Sequence, residues 1–371
     1  MKMHVPFNDL KKHHDLLQPA LGEALQRVIA QSAFIRGPEV DAFELDFAAA
    51  IGSKHCISCA SGTDGLCIAL RALKLQPGDE VITTAHSWIA TSETITQAGG
   101  RVVFCDTDVD TFTIDPKQIA AKITARTRGI IPVHLYGQAA DMDPLIELAR
   151  KHNLWVIEDC AQAHLATYGG RTVGTMGVVG TFSFYPGKNL GAMGDAGGIV
   201  TDRSDLAEWM TAFARHGGKG DHIMEGINSR MDGLQGAVLR LKLPYLRGWI
   251  EARRRVAARY DAALAGVGDV RTPIVAPGRE HVYHLYVIRT HYRDALRQHL
   301  KERGVDTVLN YPRALPFYPA YAYLGHRPED FPNAYRNQST VLSLPIFPEI
   351  TEAQMDYVTD TIREFFITKR N

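Results

Sequence analysis

Thr181-Phe182-Ser183-Phe184-Tyr185-Pro186-Gly187-Lys188-Asn189-Leu190 reads as a buried strand that ends by presenting a single lysine, flanked by Tyr, Pro, Gly and Asn. Apolar neighbours disfavour an ammonium, so they lower the amine pKa and leave Lys188 nucleophilic. Amines of this kind form Schiff bases with carbonyl groups, that of pyridoxal phosphate (PLP) among them. The competing reading is an ordinary lysine at a strand end, solvated by its loop. The surrounding chain decides between the two.

Outward from this stretch, strand and helix signals alternate. Cys56-Ile57-Ser58-Cys59, Glu80-Val81-Ile82-Thr83, Arg101-Val102-Val103-Phe104, Gly129-Ile130-Ile131-Pro132-Val133 and Leu154-Trp155-Val156-Ile157 read as strands. Helices are expected over residues 63–73 and 87–97, and a further one with Asp143 as cap, Pro144 at its first position and Asn153 at its end. Short apolar strands between amphipathic helices mean βαβ units, hence an α/β fold with a mostly parallel sheet covered on both faces. Before them, residues 8–31 carry helical periodicity (Leu10, Leu16, Leu17, Leu21, Leu25, Val28). A turn at Phe34-Ile35-Arg36-Gly37-Pro38 separates it from a second helix with Val40, Phe43, Phe47 and Ala50 on one face.

The pattern changes after Val200. Leu234, Val238, Leu241 and Tyr245 mark a long helix bent near Pro244. Beyond it lie the run Arg253-Arg254-Arg255, read as a solvated helix face, a strand over 282–288, and a helix over 292–303 stopped by Gly304. Thr351-Glu352-Ala353-Gln354 fits a capping box for a final helix. Residues 1–247 are therefore expected to form a large domain with an N-terminal helical segment, and 248–371 a smaller α+β domain.

The chain has 371 residues, with 41 Lys+Arg against 41 Asp+Glu. Zero net charge argues against a basic nucleic-acid surface and makes a defined oligomer plausible. The start shows no apolar signal segment, and no apolar run is long enough to span a membrane, so the expected compartment is the cytoplasm. The five cysteines are an odd number and point away from a disulfide framework. Cys56-Ile57-Ser58-Cys59 has C-x-x-C spacing, but it lies in a strand without a second pair and projects as buried thiols; no metal site is expected.

Ligands of open α/β sheets sit beyond the carboxyl ends of the strands. Ser61-Gly62-Thr63-Asp64-Gly65 follows the first strand: Gly62 permits a close backbone turn, and the helix start offers free N–H groups. That is either a phosphate seat or a plain cap. Trp88, in His86-Ser87-Trp88, either stacks on a flat ligand or packs in a core or interface. Glu158-Asp159-Cys160-Ala161-Gln162-Ala163-His164 places carboxylates directly behind an apolar strand, where they need a partner. That partner is either a core arginine or a protonated pyridine nitrogen, and Gln162 can hydrogen-bond the phenolic oxygen of the same ring. His164 reads as structural. An amine, a carboxylate, a phosphate seat and a stacking aromatic at successive strand ends are what a PLP site requires.

At these residues the chain resembles the DegT/DnrJ/EryC1/StrS family of PLP-dependent nucleotide-sugar aminotransferases. The resemblance covers nearly the whole chain. It rests on Phe34-Ile35-Arg36-Gly37-Pro38-Glu39-Val40, Ser61-Gly62-Thr63-Asp64, Pro132-Val133-His134-Leu135-Tyr136-Gly137-Gln138 and Ile157-Glu158-Asp159-Cys160-Ala161-Gln162-Ala163. Further on it rests on the stretch from Phe182 to Gly191, on Asn228-Ser229-Arg230-Met231-Asp232 and on Leu342-Ser343-Leu344-Pro345. It implies the aspartate-aminotransferase fold (type I), with a mostly parallel seven-stranded sheet between helices and a small C-terminal domain. It implies that Lys188 carries the Schiff base, Asp159 holds the ring nitrogen, Gln162 bonds the ring hydroxyl and Trp88 stacks on the ring. Gly62, Thr63, Asp64 and Ser183 would bind the phosphate, and Asn228 the phosphate of a neighbouring subunit in a homodimer. Tyr185, Lys219, Arg230, Asn310 and Tyr311 would line the substrate pocket.

The Tyr-Pro-Gly-Lys-Asn-Leu-Gly-Ala form is most similar to members that aminate a nucleotide-linked 3-keto sugar, with glutamate as the implied donor. Amination of a 4-keto sugar is the looser alternative. Sugar dehydratases of the family carry histidine in place of the lysine, and a non-catalytic regulatory protein needs neither Lys188 nor its carboxylate. Two departures bear on the sugar: Asn310-Tyr311-Pro312 replaces the His-Tyr-Pro of many relatives, and Leu315-Pro316 stands where many have a histidine.

Overall fold

The computed structural model describes residues 3–218 and 220–370. The short apolar segments assemble into a seven-stranded sheet in the order His55–Cys59, Gly197–Thr201, Val179–Ser183, Trp155–Asp159, Thr127–Ile131, Glu80–Thr84, Arg101–Cys105. Gly197–Thr201 runs antiparallel to both neighbours, and all other pairings are parallel. That strand was not expected from the sequence. Its glycines answer to close approach: a Cβ on Gly197 would stand 2.2 Å from the Ser61 carbonyl oxygen, and one on Gly198 3.0 Å from the Phe184 ring.

Side chains alternate between the two faces of the sheet, and each face has its own helical cover. Ile57, Ile157, Val179 and Ile199 pack under Gly62–Ala72, Ala90–Gln97 and Ser204–Phe213. Phe182, Phe184 and Val200 pack against Pro38–Ile51, Gly233–Lys242 and Leu246–Leu264. On this second face Phe47 meets Phe182 and Phe184 edge-on, each with centroids 5.1 Å apart. This packing fixes the strand that leads to Lys188. A separate core lies beyond the sheet, where Tyr260, Tyr286, Leu296, Leu342, Val358 and Ile362 gather around the antiparallel pair Tyr286–Arg289 and Val341–Leu344. Val5 joins this core and forms a parallel bridge with Val305.

Several boundaries differ from the sequence expectation. The periodic segment 8–31 is two helices, Leu10–Asp15 and Ala20–Gln31, because Pro19 removes an amide donor and restricts the residue before it. The helix expected from residue 87 begins at Ala90, and the one assigned to Asp143 begins at Met142 with Asp141 as its cap residue. The long helix divides at Leu243–Tyr245, one tight turn containing Pro244, between Gly233–Lys242 and Leu246–Leu264. The capping box of Glu352–Arg370 forms as expected, with Thr351 and Gln354 exchanging backbone-to-side-chain bonds of 3.0 and 3.2 Å.

The arginine triplet requires a correction. Arg255 is exposed and Arg254 half-buried, but Arg253 is buried in line with Ile250, Ala257, Tyr260 and Leu264. Successive helical residues point about 100° apart, so three in a row cannot share one solvated face. All five cysteines are free, and burial raises the Cys56 and Cys59 thiols. Among the described residues no helix is long and apolar enough to cross a membrane.

Candidate active site

Beyond the carboxyl ends of the central strands lies a cavity of about 740 Å³. Gly62, Thr63, Trp88, Asp159, Gln162, Ser183, Tyr185, Lys188, Asn310 and Tyr311 all line it. The loop carrying Lys188 is clamped at both ends. Its own N–H donates to the Tyr185 carbonyl at 2.8 Å, Asn189 Nδ2 donates to the Val282 carbonyl at 2.9 Å, and Ala192 N–H returns to Phe184 at 2.8 Å. Burial lowers the Lys188 amine to about 8, against an opposing pull from Asp159. The lysine is therefore not a solvated strand-end residue.

Glu158 and Asp159 are adjacent in a strand and so face opposite ways. Glu158 accepts from His134 Nε2 at 2.9 Å and from the amides of Gly174, Met176 and Gly177 at 2.6–2.8 Å. These donors overcome burial and hold its carboxyl below the usual range. The Ala140 N–H donates to His134 Nδ1 at 3.0 Å, which leaves the proton on Nε2. Cys160 Sγ completes a buried group with these two side chains, but burial and both neighbouring carboxylates push its thiol well up, so this is a satisfied polar network.

Asp159 faces the cavity. Thr91 Oγ1 donates to its Oδ2 at 2.8 Å and the Ala161 N–H to its Oδ1 at 3.1 Å. Burial pushes its carboxyl up. Among the described residues it has no ion-pair partner, so the core-arginine reading is excluded.

Ser61 caps Gly62–Ala72 by accepting from the Asp64 amide at 3.1 Å. A Cβ at Gly62 would lie 2.7 Å from Ser183 Cβ, so only glycine lets the helix start approach that strand. Asp64 lies behind this start: its Oδ2 accepts from Ser229 Oγ at 2.6 Å, and Ser229 Oγ accepts from the Ala60 amide at 3.0 Å. Asn228 is exposed and Arg230 half-buried, and neither lines the cavity. Lys219 lies outside the described residues.

Also on the cavity wall, Trp88 and Tyr311 pack with ring centroids 5.9 Å apart. Gln162 Oε1 accepts from the Tyr136 amide at 2.7 Å, and its Nε2 donates to the Tyr311 hydroxyl at 2.8 Å. The Tyr136 hydroxyl donates to the Asn310 carbonyl and sits 2.9 Å from His86 Nε2. Sequence reasoning missed Thr91, Arg253 and His284. Thr91 was accessible, since it stands four residues from Ser87 and their hydroxyls lie 3.2 Å apart. The other two left no local signal.

A neutralisable amine, a carboxylate with no cation and a glycine-cleared helix start, all on one cavity, are the donor set for PLP. Residues 17–363 match the DegT/DnrJ/EryC1/StrS aminotransferase family, and the chain belongs to that family of PLP-dependent aminotransferases. It is 46% identical to the "Pleiotropic regulatory protein" of Geobacillus stearothermophilus, over 98% of this chain and 99% of that one. It is 43% identical to the dTDP-3-amino-3,4,6-trideoxy-alpha-D-glucose transaminase of Streptomyces venezuelae, over 97% and 96%. The crystal structure of S. venezuelae DesV in complex with a ketimine intermediate superposes with a TM-score of 0.96 at 42% identity, covering 98% of each chain.

Proposed function

We propose that this aminotransferase moves an amino group from glutamate to carbon 3 of a nucleotide-linked keto sugar, as a cytoplasmic homodimer. The observation that carries the proposal is Lys188, an amine lowered to about 8 on the wall of a roughly 740 Å³ cavity. That volume suits a ligand larger than the cofactor alone. The position of amination rests on the transaminase relative and on the Tyr185-to-Ala192 sequence form.

PLP, when bound, supplies the carbonyl that takes the amine and the ring that drains the electron pair of a carbon losing its proton. Gly62, Thr63 and Ser183 would hold its phosphate, with Asp64, whose carboxylate is held by Ser229 rather than lining the cavity, serving it through the helix start. Asp159, oriented by Thr91 and Ala161, would hold a proton on the ring nitrogen. Gln162 and Tyr311, bonded to each other, would face the ring oxygen, and Trp88 the ring plane. Lys188 Nζ, lowered to about 8, gives up its proton far more readily than an ordinary lysine, so it can accept a proton from carbon and return it. Tyr185, Asn310 and Tyr311 remain the proposed sugar contacts.

The apolar surface left open by Trp88, Tyr185, Met193, Phe34 and Ile35 supports a dimer with sites at the interface. Asn228, Arg230 and Lys219 are then proposed to serve the neighbouring subunit's site. The smaller domain, proposed as 248–371, supplies Asn310 and Tyr311. A purely regulatory role, the name borne by the Geobacillus relative, would leave Lys188 and Asp159 in one cavity without a task.

The test is to incubate the pyridoxamine form with a panel of nucleotide-linked 3-keto and 4-keto sugars. Return of the absorbance of lysine-bound pyridoxal with a 3-keto sugar is expected, and return with 4-keto sugars alone would overturn the position. Lys188→Ala should lose both that absorbance and turnover. Undiminished sugar amination by this variant would sink the assignment.

A further inference from the structure

Lys242 is 1% exposed at the end of Gly233–Lys242, and among the described residues no carboxylate pairs with it. Its Nζ donates to the Gly191 carbonyl at 2.7 Å and to His14 Nε2 at 2.9 Å. An ammonium can only donate, so His14 accepts as a neutral ring with its proton on Nδ1. Burial and the nearby Lys242 push His14 down to about 4 and keep it in that form. Burial lowers the Lys242 amine to about 8, and Glu349 opposes this from further off. The Glu349 carboxylate is held by His13 at 2.7 Å, and its carbonyl accepts from Lys12 Nζ at 2.8 Å. A buried ammonium without a counter-ion is costly, and a methionine would fill the same space without that cost. What methionine would lose is the bond to Gly191.

Gly191 closes the loop that carries Lys188. A Cβ on Gly191 would stand 2.2 Å from the Pro186 carbonyl oxygen, so the two limbs of the loop touch here. The Lys188 N–H returns to Tyr185 and the Ala192 N–H to Phe184, each at 2.8 Å, which closes the loop on itself. Asn189 ties it to Val282, and Lys242 ties its return limb to the helix Gly233–Lys242. We infer that Lys242 is a positioning residue, which fixes the place of Lys188 Nζ in the cavity by holding the Gly191 carbonyl. Through His14 the same ammonium holds the short helix Leu10–Asp15, whose Leu10 lines that cavity. One buried cation thus ties the reactive amine and one cavity wall to a single helix. The inference rests on the aminotransferase reading above, in which Lys188 must reach the carbon that loses its proton.

The test compares wild type with Lys242→Met. In the cofactor-free protein, amide exchange at Lys188 and Ala192 should quicken at least about tenfold in the variant, while Ile157 and Ile199 hold and the urea midpoint does not fall. In the holoenzyme, single turnover with glutamate should slow about 10- to 100-fold, because a small misplacement of the amine is enough. The glutamate concentration that gives half the maximal rate should stay as in wild type. Lys242→Gln keeps an N–H donor on a shorter side chain and should fall between the two; should Lys242→Met not fold, it carries the same test. Unchanged exchange at Lys188 and Ala192 would overturn the inference. So would an equal rise at every amide with a lower urea midpoint, or a weaker affinity for glutamate at an unchanged rate. The exchange measurement needs neither cofactor nor substrate, so a wild type inert toward glutamate would overturn the proposed donor and leave exchange to decide the role of Lys242.

Discussion

In the cofactor-free protein, Lys188→Met should stabilise the fold at neutral pH and lose that advantage in alkali. Burial lowers the amine from an ordinary 10.5 to about 8. The difference, 10.5 minus about 8, is about 2.5, and at 1.36 kcal/mol for each it amounts to about 3 kcal/mol. Below pH 8 the native and unfolded chains both carry the proton, and the native state bears the full penalty of a buried ammonium. Between about 8 and 10.5 the unfolded chain keeps a proton that the native chain has shed, so wild-type stability rises with pH. Methionine fills a similar volume and does not titrate. That figure is already net of the attraction between Lys188 and Asp159, which opposes the effect of burial. A gain of about 3 kcal/mol near pH 7, shrinking as pH approaches 10, is therefore expected. Urea unfolding of both proteins at pH steps across this range, followed by tryptophan fluorescence, measures it. A gap that does not move with pH, or a variant less stable near pH 7, would refute the reasoning that desolvation sets the state of this amine.

Gly62→Ala would place its Cβ 2.7 Å from Ser183 Cβ and press the helix start away from the strand. Overpacking of about 1–3 kcal/mol should weaken PLP binding about tenfold or more, as read by equilibrium dialysis. Asp159→Asn should fold normally yet slow the glutamate half-reaction at least about 100-fold in single turnover, because the ring nitrogen loses its charged partner. Glu158→Ala should cost about 3–5 kcal/mol in urea unfolding, since His134 and the amides of Gly174, Met176 and Gly177 would lose their shared acceptor.

What the sequence made legible was local. Apolar runs bounded by turns gave the strands, and the residues after them gave Ser61, Trp88, Asp159 and Lys188, because an open parallel sheet delivers its strand ends to one side. What it withheld depends on distant partners. Nothing near Glu158 tells it from Asp159; the difference is made by His134 and by the turn at Gly174–Gly177. The strand Gly197–Thr201 was obscured because its two glycines serve packing against Ser61 and Phe184 and carry no hydrophobic signal. Arg253 looked solvated because its neighbours are charged, while its partners lie 30 to 93 residues away. Boundaries slipped where capping residues offered several starts, as at Ser87 and Asp143.

Val5 carries a consequence for how the molecule is made. Its amide donates to Gly304 at 2.9 Å and its carbonyl accepts from Asp306 at 3.0 Å, so this segment has no place to dock until synthesis has passed Asp306, about 300 residues later. Phe7, Asn8 and Leu10, just behind it, help wall the cavity, as does Ile346, made later still. The phosphate seat, Asp159 and Lys188 all belong to the sheet made in between. The nascent chain should thus acquire its cofactor cradle well before its substrate chamber. Pulsed hydrogen exchange during refolding should show the amides of Val5 and Asp306 gaining protection together, after those of Ile157 and Ile199.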